Sequence, residues 1–113
     1  FNKNDKKIII CTENIKKIAG YNNKKNINSD QNHKTRLFVR RALRHEATHL
    51  AQACNNGNPT GILKDYQKKF NSSKLKALES SFKISGNLLK EYETYILEDK
   101  PRKVKEAIKK YCL

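Results

Sequence analysis

Apolar and polar residues recur with a helical period along most of this chain. From Lys34 to about Asn55, Val39, Leu43, Ala47, Leu50 and Cys54 gather on one stripe at 100° per residue, while Arg40, Arg41, Arg44 and Thr48 gather opposite. The pattern predicts a long amphipathic helix with its apolar stripe buried. Asn55-Asn56-Gly57, with Pro59 just beyond, is the chemistry that ends such a helix. After a loop containing Gly57 and Gly61, helices are expected around Ile62 to Phe70 and Ser73 to Phe82. Ser85-Gly86-Asn87 then offers a break and a cap before a helix from Leu88 to about Glu98. Pro101 suits the first turn of a last helix, Pro101 to Tyr111, burying Val104, Ala107, Ile108 and Tyr111.

The N-terminal part reads differently. The β-branched run from about Lys7 to Thr12 predicts a short strand. Thr12-Glu13-Asn14 then caps a brief helix, Ile15 to Ala19, ended by Gly20, and the polar stretch Tyr21 to His33 reads as a loop. No internal repeat is visible. With 113 residues, two domains would each be too small to stabilise themselves by burial, so residues 1–113 are expected to form a single domain. The fold class is α+β, mostly helical, with a small N-terminal β element. Apolar residues make up 36%, enough for a thin core to which a metal or a disulfide would add stability.

Charge changes the picture less than its size suggests. The formal net charge is +14, but Lys and Arg are spread from Lys3 to Lys110 and accompany abundant Asn and Ile. The few aromatics are not interleaved with them as base-stacking platforms would be. A solvated basic surface is therefore preferred, with nucleic acid a possible but unfavoured partner. No apolar run approaches the roughly 18 residues of a membrane span, so a soluble protein is expected, with the cytoplasm slightly favoured. The chain begins at Phe1 without Met, which leaves a processed N-terminal segment open. Cys11, Cys54 and Cys112 have no Cys-x-x-Cys spacing, and Cys54 lies on the apolar stripe, so reduced thiols are preferred over a disulfide.

The chemistry concentrates at His45-Glu46-Ala47-Thr48-His49. On a helix, positions i and i+4 lie one turn apart on one side, so two imidazoles can meet at one point about 2 Å from each, which is half of a zinc site. Glu46 is offset by about 100°, placed to act as general base on metal-activated water. Because Glu46 projects between Val39 and Leu50, it needs a metal, water or cationic partner. A catalytic zinc also requires a third protein ligand and an open position. His33 is the only other His and sits in the polar region. Glu91 and Glu93, on the later helix, are the stronger candidates, and periodicity separates them only slightly.

These residues resemble the gluzincin metallopeptidases. The resemblance rests on His45-Glu46-Ala47-Thr48-His49, followed three residues on by Gln52, and on Glu91-Tyr92-Glu93-Thr94-Tyr95, which looks like the second-helix stretch of such proteins. It implies a zincin-like minimal domain of minigluzincin size, with His45, His49 and Glu91 as zinc ligands, Glu46 as base and a peptide or protein as substrate. It also implies a small sheet lining the cleft, for which Ile8 to Thr12 is the available strand. The sequence departs from the family where an acidic residue commonly follows the ligand Glu by four positions. Tyr95 stands there, and either it or Tyr92 is a candidate donor to a developing oxyanion. The expected function is zinc-dependent peptide hydrolysis. The alternatives are a non-catalytic basic binding module, zinc-stabilised or not, and a latent peptidase.

Overall fold

The computed structural model describes residues 2, 4–5, 7–9, 29–63 and 70–113. Among the described residues four helices carry the fold: α1 (Ser29–Cys54), α2 (Ser72–Ser85), α3 (Leu88–Leu97) and α4 (Pro101–Tyr111). The long α1 packs against both α3 and α4, and α3 in turn holds α2. The expected mostly helical architecture is therefore observed.

Local sequence sets most of the boundaries. Asn71 and Asn87 cap α2 and α3, their side chains accepting from Lys74 N and Lys90 N, which satisfies amides that a helix start leaves without partners. Gly86, at φ 70°, closes α2 in the left-handed region, where a Cβ would be strained. Pro101 opens α4, as its fixed φ favours. The long helix starts at Ser29, earlier than the hydrophobic pattern suggested, so His33 is helical. Ser29-Asp30 is helix-start chemistry that carries no apolar period, and periodicity alone cannot register it.

Three expectations change. The first concerns the buried face of α1: Thr48, Ala51 and Gln52 are fully enclosed, while Leu43, on the apolar stripe, is 46% exposed. Helix α3 supplies the reason. It turns Glu91, Thr94 and other polar groups inwards, so the enclosed seam is polar and hydrogen-bonded, and every described buried polar side-chain atom has a partner. Burial follows satisfied partners as well as apolarity. Secondly, Cys54 and Cys112 form a disulfide with Cα atoms 5.3 Å apart, where reduced thiols were preferred. No pattern within either helix sets the register of the end of α1 against the end of α4, which is what brings them together. Thirdly, no strand occurs among the described residues of the N-terminal region. An isolated antiparallel bridge joins Asn2 to Lys7, and Ile8 and Ile9 have no regular structure. The rest of the predicted strand, the helix Ile15 to Ala19 and most of the helix Ile62 to Phe70 lie outside the described residues.

Apolar burial is correspondingly small, resting on Ala51, Leu78, Ile96, Leu97, Val104 and Ala107. Around it runs the polar network that positions the site.

Candidate metal centre

Helix α1 presents His45 and His49 one turn apart, and α3 presents Glu91 against them. Asn87 fixes the start of α3, so Glu91 falls in its first turn, where the helix dipole favours a carboxylate. One donor atom from each of His45, His49 and Glu91 can be chosen so that all lie within 4.8 Å of one another. His49 Nε2 is 3.7 Å from Glu91 Oε2. Tetrahedral ligands at about 2 Å from a zinc ion stand roughly 3.3 Å apart, so a small closure of these side chains meets the geometry.

The imidazole protons are positioned for the same purpose. His45 Nδ1 lies 3.1 Å from Glu98 Oε2. An ionised carboxylate only accepts, so Nδ1 is the donor in this pair, and in a neutral ring Nε2 is then the nitrogen with the free lone pair. His49 Nδ1 lies 3.0 Å from Gln52 Oε1. The orientation of that amide is settled at its other end, where Nε2 donates to Lys90 O, Glu93 Oε1 and Thr94 Oγ1 at 3.0, 3.2 and 3.2 Å. Gln52 therefore turns its carbonyl to His49, and that ring too offers Nε2 to the site. Burial, and secondly the neighbouring His45, push the His49 pKa below its ordinary 6.5, which keeps the ring neutral as a ligand must be.

Both orienting groups are held in turn. Glu98 is buried and meets Lys74 Nζ at 3.1 Å, and Arg44 donates to the Glu98 backbone carbonyl. Glu93 has a different task from Glu91. Fully buried, its carboxylate accepts from Thr60 N at 2.8 Å and Gly61 N at 3.1 Å, pinning the loop after α1 against α3. The two glutamates, which periodicity separates only slightly, are thus divided between the cluster and the scaffold.

Glu46 is half-buried and lines a cleft of about 380 Å³ together with His45, His49, Glu91, Ser81 and Lys90. Tyr95 sets its ring edge-on to His45, centroids 4.7 Å apart, and its hydroxyl is 2.9 Å from Ser81 Oγ. Burial raises its pKa above 10.0, so it remains a neutral phenol. Tyr92 packs instead on Phe70, centroids 4.9 Å apart. His33 is exposed three turns before His45 on the same helix, about 18 Å away along the axis, and takes no part.

The sequence reading missed the roles of Glu98 and Gln52. Both carry a signal: Gln52 follows His49 by three residues, and Glu98 follows Glu91 by seven, each spacing returning to the same helix face.

A family model described as a domain of unknown function, DUF8637, matches residues 1–113. No curated protein and no solved structure matches the chain.

Proposed function

This chain belongs to the DUF8637 family, and for it we propose a zinc-dependent peptidase built on a minimal zincin-like domain. The observation that carries the reading is the convergence of His45, His49 and Glu91 with both imidazole Nδ1 atoms already committed elsewhere, beside a half-buried glutamate in an open cleft. The donor set, two neutral imidazoles and a carboxylate, is that of a catalytic zinc with one position left for water or substrate.

His45, His49 and Glu91 would hold the zinc, which when bound would supply a Lewis acid and bring the acidity of water towards neutrality. Glu46 takes the proton from the attacking water and returns it to the departing amine. Tyr95 braces His45, and its hydroxyl, paired with Ser81, is a neutral donor beside the cleft for charge developing on the carbonyl oxygen.

The Glu46→Gln substitution tests the reading, because it removes the base and leaves the ligands. Stoichiometric zinc is expected in both forms, with cleavage of a mixed peptide library by the native protein and at least about a hundredfold less by the variant. Zinc binding without cleavage by the native protein would leave a zinc-stabilised binding module and remove the enzyme. Absence of zinc binding would remove the site.

A further inference from the structure

Away from the metal centre, α1 and α4 leave an open apolar groove of about 450 Å³ between them. Its floor is Leu43 and Ala47 from α1 and Val104 and Ile108 from α4, and Leu43 remains 46% exposed. Each helix contributes residues at helical spacing, so the groove runs along about two turns of both. Val104 and Ala107 are buried and the Cys54–Cys112 disulfide ties the helix ends together, so the groove is formed before anything enters it.

Its rim is basic on both walls. Arg40 stands on the α1 side and Lys105 and Lys109 on the α4 side, all exposed. No carboxylate of the described residues lies within salt-bridge distance of these three, whereas Arg41 nearby is engaged by Asp99 at 3.0 Å. An apolar floor flanked by Arg40 on one wall and Lys105 and Lys109 on the other, none paired with a carboxylate of the described residues, is complementary to an apolar stripe flanked by carboxylates. Residues 10–28 of this chain carry four Lys against one Glu, the wrong charge to complement the rim. A second copy, at net +14, is disfavoured for the same reason.

We propose that the groove between α1 and α4 is a docking site for an acidic amphipathic helix of a partner protein, which lies between the two helices as a third. The spacing of floor and rim suits a helix that presents apolar residues at i, i+3, i+4 and i+7 with Glu or Asp on both flanks. Charge on the rim accelerates encounter and selects against basic partners, while burial of the stripe supplies the affinity. The site is independent of the metal centre and of any hydrolysis there.

The probe is a fluorescent synthetic helix of about 18 residues with a Leu stripe flanked by Glu, titrated with the full chain and followed by anisotropy. Saturable binding that weakens with salt is expected, with at least a tenfold loss of affinity in Arg40→Glu/Lys105→Glu and, independently, in Leu43→Asp. All three residues are exposed enough for the variants to fold, which circular dichroism checks. A control peptide with Lys in place of Glu is expected not to bind. Failure of the acidic helix to bind, or affinity unchanged by both variants, would overturn the proposal. So would phosphatidylglycerol vesicles or duplex DNA binding through these residues more tightly than the peptide, which would assign the face to a lipid or a nucleic acid.

Discussion

Each imidazole at the proposed centre is held at its far nitrogen, by Glu98 on one side and by Gln52 on the other. Such supports act on a metal through the ligand, fixing its tautomer and raising its basicity, and losing one typically weakens metal affinity about 10–100-fold. Glu98→Gln keeps the shape but removes the charge that His45 and Lys74 share. Zinc affinity, measured by competition with a chromophoric chelator, is expected to fall at least about tenfold. Glu106→Gln, where the carboxylate is exposed and pairs with Lys103, should leave it unchanged. Equal affinity in both variants would mean that Glu98 supports the fold and not the site.

At the scale of elements, α4 was legible to the residue, because Pro101 marks its start and Val104, Ala107 and Ile108 recur at helical spacing. The break between α2 and α3 was nearly so, since Gly86 and Asn87 punctuate it. The cluster of His45, His49 and Glu91 joins two residues that the His-x-x-x-His spacing marks to a third that a family resemblance marks. Which face of α1 is enclosed was not legible, because Thr48 and Gln52 are buried by virtue of partners on α3 that no pattern within α1 announces. The pairing of Cys54 with Cys112 was hidden for the same reason, being a fact of how α1 and α4 meet. That disulfide spans a separation of 58 residues, and a cross-link of this kind restricts the unfolded chain by about 2–4 kcal/mol. The Cys54→Ser/Cys112→Ser variant should lose about that much in urea unfolding, and dithiothreitol should lower the native protein towards it without affecting the variant. Coincident unfolding curves for the two proteins would show that α4 is held by packing alone.

The molecule as a whole encloses more polar than apolar side chains among its described buried residues, so its stability responds to protonation as well as to packing. His49 has its pKa lowered in the fold, by burial first, from 6.5. The unfolded state therefore takes up this proton at higher pH than the folded state does. Stability from this group is present above the unfolded value, falls as the pH drops through the interval, and levels off below the folded value. In chelator-treated protein, the melting temperature should decline as the pH falls below the ordinary histidine value of 6.5, and the decline should shrink in His49→Gln. An undiminished decline in that variant would place the responsible group elsewhere. The two histidines of the cluster are nevertheless not alike. Through Gln52, the direction of the hydrogen bonds at His49 is dictated by a peptide carbonyl on α3, that of Lys90, and a peptide carbonyl does not titrate over the physiological range. At His45 it is dictated by a side-chain carboxylate, that of Glu98. One half of the site therefore takes its hydrogen-bond direction from the backbone of α3 and the other half from a side chain, so a single substitution at Glu98 can undo the second where none at Lys90 can undo the first.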